Sequence, residues 1–210
     1  MTLASRFLSL ALMGGTLALG LPAQAADVVD SWAQVQAPPA PKLENVTVDA
    51  KSTALFMLDL LKQNCAPNPA CMAALPGVKS LLDQARAKKM YVVYSKFPGP
   101  SDADVLPDVA RARKEPMITG FLDKFLKTNL DQLLKKNHIK TVIVVGNASN
   151  GAVLFTGQSA FALGYQLVVP VDGATSRVPY ADQSTIYDFA AAPVMAGKVK
   201  LTRTNMITIQ

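Results

Sequence analysis

The residues of this chain able to do chemistry together are few, and they cluster at the ends of apolar runs. Asp59 lies near the end of "TALFMLDLL" (53–61), a carboxylate among hydrocarbon side chains. Ser95 and Lys96 close "MYVVYSK", and Asp172-Gly173 closes "QLVVPVDG". The run "TVIVV" opens into the polar turn Gly146–Gly151, followed by Ala152 and a stretch of small and apolar residues. A carboxylate placed like Asp59 can donate or accept a proton in a reaction, or it can simply form a turn or cap a helix. The segment Asn147, Ala148, Ser149, Asn150, Gly151 and Ala152 leads into a helical pattern, so its backbone N–H groups converge where an anion can be held. Such a strand-turn-helix joint is where α/β enzymes place a nucleophile, yet its first helical residue is Ala152, whose methyl group attacks nothing. Ser149 has no histidine or second base to activate it and reads as a turn or cap residue. Asn147 and Asn150 either orient a polar ligand or build the turn.

Those residues need a scaffold, and the periodicity supplies one. Strand patterns at 53–61, 90–95, 141–145, 166–172 and near 199–208 alternate with helix patterns at 78–89, 128–136, 152–163 and 181–190. Thr128 stands where the second of these helices needs an N-cap. Residues 96–119 carry Pro98, Pro100, Pro107 and Pro116 and read as a long loop, with a short helix near Val105 to Arg113. Alternating strands and helices mean a parallel sheet covered on both faces, and ligands of such sheets sit beyond the carboxyl ends of the strands. Asp59, Ser95, the 146–152 turn and Asp172 all fall there, although Asp172-Gly173 is an ordinary turn signal.

The flanks of this pattern bound the setting. Arg6, the apolar run Phe7–Leu21 and Ala23-Gln24-Ala25 read as a signal peptide over 1–25, more so than as an anchor helix, since Gly14, Gly15, Gly20 and Pro22 interrupt it. A secreted or periplasmic protein is expected, with no stable membrane span once the signal is cleaved. Residues 26–50, with "APPAPK", lack periodicity and read as an extended tether; a single domain is expected over 51–210. The formal charge of +6 comes from lysines on solvated faces with acidic residues interspersed, and no basic run interleaves with aromatics, so a nucleic-acid partner is not expected. Cys65 and Cys71 sit in "NCAPNPACM"; in an oxidising compartment a local disulfide is favoured over free thiols. The single histidine, His138, lies in a polar turn, so no metal site and no other cofactor is expected.

Taken together, "TALFMLDL", "FLKTNLDQLLKKNHIKTVIVVG" and "GNASNGAVLFTGQSAFALGYQLVVPVDG" resemble the isochorismatase-like family, also called the cysteine hydrolase superfamily. They look like its aspartate strand, its Phe-x-x-Thr-x-Leu segment and its nucleophile turn, in that order, over about residues 50–190. The resemblance implies a three-layer α/β/α domain with a mostly parallel sheet of about six strands, often packed as an oligomer. Amidases of the family use an aspartate, a lysine and a cysteine, with turn N–H groups stabilising the oxyanion. Asp59 matches the aspartate. Ala152 stands at the cysteine position, which closes the acyl-enzyme route. The usual lysine position falls on Thr119; Lys124 is the nearest substitute, otherwise a surface lysine, and Lys114 lies further back. True isochorismatases resemble this chain in having a small residue there, and hydrolyse a vinyl ether without a covalent intermediate. The implied function is a hydrolase acting on a small molecule by a thiol-free mechanism centred on Asp59. The alternative is a secreted pseudoenzyme that binds a small ligand in a pocket that has lost its chemistry.

Overall fold

In a computed structural model, residues 27–210 are described, and the expected signal peptide lies outside them. They fall into two compact units. The first ends at Pro39, and its described part carries a single-turn 3-10 helix, Trp32–Gln34. The second, Ala40–Gln210, holds the sheet.

In chain order the second unit contains β1 (Val46–Val48), β2 (Thr53–Leu58), α1 (Lys62–Cys65), α2 (Pro69–Ala87), β3 (Tyr91–Lys96), β4 (Met117–Thr119) and α3 (Leu130–Lys136). Then come β5 (Thr141–Asn147), a π turn (Ser149–Val153), α4 (Leu154–Ala162), β6 (Gln166–Pro170), β7 (Ala174–Thr175), α5 (Pro179–Ala191), β8 (Lys200–Thr202) and β9 (Ile207–Ile209). A seven-stranded sheet runs in the order β4-β3-β2-β5-β6-β8, with β7 paired to β5, and every pairing is parallel. All six residues of β2 and all seven of β5 are buried, because helices cover both faces of the sheet. Leu55, Met57, Val92 and Ile143 pack with Leu75, Val78 and Leu82 of α2. Alternate residues Ala54, Phe56, Val142 and Val144 pack on the other side with Leu130, Ala160 and Phe189 from α3, α4 and α5. This is the parallel sheet covered on both faces expected from the alternation, and the three-layer α/β/α architecture implied by the resemblance.

Several boundaries differ from the sequence reading. The stretch read as a tether contributes β1, which pairs with β9 in a separate two-stranded sheet, so the single strand expected near 199–208 is two short strands serving two sheets. The loop 96–119 ends in β4, an edge strand too short to show a period, and its expected short helix is instead a single 3-10 turn, Pro107–Val109. Helix α2 starts at Pro69, nine residues before the periodic pattern at Val78, because Pro69 occupies N1 and Asn68 caps it through a bond from the Ala70 N–H (3.2 Å). The loop stays ordered through Arg86, whose guanidinium donates to both carboxylate oxygens of Glu115 (2.8 Å each) and to the carbonyl of Ala110 (2.7 Å). Cys65 and Cys71 form a disulfide joining α1 to α2, and both are buried. No helix among the described residues is long and apolar enough to cross a membrane.

Candidate functional site at the carboxyl edge of the sheet

The register sets the site. Leu58, the last residue of β2, is paired with Ser95 on β3 and with Gly146 on β5, so three strands end side by side. β5 can come this close only because residue 146 has no side chain: a Cβ there would lie 2.1 Å from the Leu58 carbonyl oxygen, and its φ is +148°. Asp59 then leaves the strand in the left-handed region, φ 50°, which aspartate tolerates better than most residues. Its carbonyl accepts from the Leu61 N–H (2.8 Å) and from the Asn64 side-chain amide (3.0 Å), anchoring the turn into α1.

The Asp59 side chain is buried and has a partner on each oxygen. Oδ1 accepts from the Ser95 hydroxyl at 2.6 Å, and Oδ2 accepts from the Lys124 ammonium at 2.9 Å. Ser95 Oγ in turn accepts from the Asp59 N–H at 3.2 Å. Lys124, 1% exposed, also donates to the carbonyls of Gly120 (2.7 Å) and Phe121, so its three protons are all used. Burial pushes the Asp59 carboxyl above its ordinary range, opposed by the nearby Lys124 charge. Burial likewise pushes the Lys124 amine below its ordinary range, opposed by Asp59. Each charge is therefore maintained by the other.

Lys124 reaches this place because its loop is fastened to α4 and to the core. Its N–H donates to Thr156 Oγ1 (3.2 Å), and that hydroxyl donates to the Leu122 carbonyl (3.3 Å). Asp123 accepts from the Phe125 N–H (2.8 Å) and the Ser159 hydroxyl (2.8 Å). Thr128 donates to the Lys124 carbonyl (2.6 Å) and accepts from the Leu130 N–H (3.2 Å), so it braces the lysine as well as the start of α3. The Phe125 ring lies between Phe56 and Tyr165, with centroids 6.2 and 6.1 Å away. Lys114 is elsewhere: with Lys51, Lys89 and Tyr91 it lines a hollow where the strands begin, at the opposite edge of the sheet.

The turn after β5 is held from the other side. Asn147 donates its amide to the Thr175 carbonyl (2.9 Å), and Asn150 accepts from Ser176 (3.1 Å). Ser149 is fully buried and donates to Asp182 of α5 at 2.6 Å, so it braces a neighbouring helix rather than its own turn. Burial pushes the Asp182 carboxyl upward, opposed by that hydrogen bond. The Ala148 carbonyl accepts from Gly151 and Val153, and Ala152 is buried. A Cβ on Gly151 would meet Leu122 at 3.6 Å, so the lysine loop and this turn share a corner. Asp172 accepts from the N–H and hydroxyl of Thr204 (2.8 Å each), a purely structural tie. His138 is exposed, and no group of three or more His, Cys, Asp or Glu among the described residues could hold a metal.

The sequence reading placed Ser95 at the ligand edge of the sheet but gave it no role, and it did not single out Thr156 or Asp182. Ser95 had one legible signal, its place at the end of a strand; Thr156 and Asp182 are ordinary helix residues until the helices dock.

A doubly covered parallel sheet, with a buried aspartate-lysine couple beside a polar turn at its carboxyl edge, defines a three-layer α/β/α protein. The chain belongs to the isochorismatase family: an isochorismatase domain matches residues 53–198. It is 33% identical over 148 residues to an N-carbamoylsarcosine amidase from Arthrobacter sp, an alignment covering 57% of this chain and 56%, about half, of that protein. An isochorismatase family protein from Desulfovibrio vulgaris superposes with a TM-score of 0.67 at 22% identity, covering 73% of this chain and 95% of that one. A cysteine hydrolase from Pseudomonas syringae gives 0.68 at 18% identity, covering 79% and 94%.

Proposed function

We propose that this protein is an exported hydrolase of a small molecule that works without a thiol, with Asp59 as the proton-transferring group. The observation that carries this reading is the buried contact of 2.9 Å between Asp59 and Lys124 at the ligand-binding edge of the sheet. Both cysteines of the chain are committed to the disulfide, so no thiol is left to attack a substrate. In this reading Ala152 takes the place of the amidase cysteine, and a water molecule replaces the thiolate as nucleophile. Asp59, its carboxyl raised by burial, gives or takes a proton; Lys124 supports negative charge; the polar turn between β5 and α4 holds an oxyanion or a polar ligand group. A signal peptide over residues 1–25 and a tether before the domain belong to the same proposal, and the disulfide suits an oxidising compartment.

Turnover of a panel of small amides, esters and vinyl ethers by the wild type and by Asp59→Asn tests it. Hydrolysis that falls by about 10²–10⁴ in the variant supports the reading, that being the usual scale of acid-base catalysis. A second reading, a binding protein that keeps the corner without the chemistry, is favoured by the methyl group at Ala152 and by the commitment of Ser149 to Asp182. Equal ligand binding with no turnover in either protein would establish it.

A further inference from the structure

We propose that Ser95 is a positioning residue, which fixes the Asp59 carboxylate in one orientation by hydrogen bonding both its Oδ1 and its backbone N–H. The proposal rests on the reading of Asp59 as the proton-transferring group. A carboxylate held through one oxygen alone can still turn about its last torsion, which has a broad energy profile. Lys124 holds Oδ2 at 2.9 Å; Ser95 holds Oδ1 at 2.6 Å, and that second anchor stops the rotation. The serine is itself immobilised, since its oxygen also receives the Asp59 N–H at 3.2 Å and its strand is in register with Leu58. The three atoms Oδ1, Oγ and N thus close a small ring around the residue whose φ of 50° starts the turn out of β2.

The same geometry rules Ser95 out as a substitute nucleophile. It is 1% exposed, its proton points at Oδ1, and one lone pair is occupied by the Asp59 N–H. A nucleophile must face the substrate, and this hydroxyl faces the carboxylate. Its donated bond instead favours the charged form of Asp59, working with Lys124 against the burial that favours the neutral form. Ser95 therefore sets both where the carboxylate points and the pH at which it changes charge.

The test is a carboxyl ¹³C NMR titration of Asp59, assigned with Asp59→Asn, in the wild type, Ser95→Ala, Ser95→Thr and Ser95→Cys. Loss of a charge-assisted bond in Ser95→Ala should move the titration up by about one pH unit; Ser95→Thr should restore it, and the weakly donating Ser95→Cys should fall between. With a substrate in hand, the activity limb governed by Asp59 should move upward by the same amount. An Asp59 titration unchanged in folded Ser95→Ala or, if that variant does not fold, in Ser95→Cys would overturn the proposal. A wild type that turns nothing over would overturn the hydrolase reading while the NMR titration still decides the role of Ser95.

Discussion

Replacing Lys124 by methionine should destabilise the protein in a way that depends on pH, and the direction follows from the burial of its partner. At the observed 2.9 Å the attraction between the two charges is about 6 kcal/mol for an effective dielectric of about 20. Most of that is offset by the desolvation of both groups, but removing one partner leaves the other charge buried alone, at about 3–5 kcal/mol. Asp59 can relieve this cost by taking up a proton. Its native pKa is already raised above 3.8, so its share of stability is fully present below pH 3.8 and is lost as pH rises through the native value. Without Lys124 the native value moves higher still, and the window of loss widens. Between pH 4 and 8, chemical denaturation should therefore show the wild type and Lys124→Met diverging with rising pH, with a slope approaching about 1.4 kcal/mol per unit until the full cost is reached. A smaller, pH-independent loss should remain, because the carbonyls of Gly120 and Phe121 lose their donor. A difference that is flat across this range, or that shrinks with rising pH, would refute the picture of a carboxylate kept charged by its lysine.

Further outcomes follow from the same geometry. Ala152→Cys would introduce the chain's sole thiol, and if that residue occupies the nucleophile position, iodoacetamide should alkylate it roughly tenfold faster than it does the Ala152→Cys, Lys124→Met double variant, since nearby positive charge favours the thiolate. Gly146→Ala should cost about 3 kcal/mol or more in a denaturation experiment, because the new methyl group would stand 2.1 Å from the Leu58 carbonyl oxygen and β2 and β5 would have to part. Reducing the Cys65–Cys71 bridge, which spans a sequence separation of 6, should lower stability by about 2 kcal/mol on the chain-entropy account, measured as a shift in the denaturation midpoint with and without reductant. Thr156→Val should cost about 1–3 kcal/mol by leaving the Lys124 N–H without its acceptor, and should impair any activity along with stability.

Much of this was legible in the order of residue types. The apolar run through Leu58 with a carboxylate after it, the β-branched run before Gly146 and the spacing between them are local properties, and they were enough to indicate a parallel sheet, its class and the edge where a site forms. The disulfide was also readable, because two cysteines six residues apart have few other partners. Short elements were not: β4 and β1 are three residues each, too short for an alternation to be read, and they exist through pairing with distant strands.

What the sequence determined by itself is the scaffold and the identity of one carboxylate, since burial periodicity is written locally along the chain. Which lysine would meet Asp59 was decided by tertiary structure alone. Lys124 is the nearer candidate along the chain and Lys114 the further, yet distance along the chain does not say which of the two edges of a parallel sheet a side chain reaches. Packing of Phe125 against Phe56 and Tyr165, with Thr156 fastening the loop to α4, carries Lys124 to the edge where Asp59 stands and leaves Lys114 at the other.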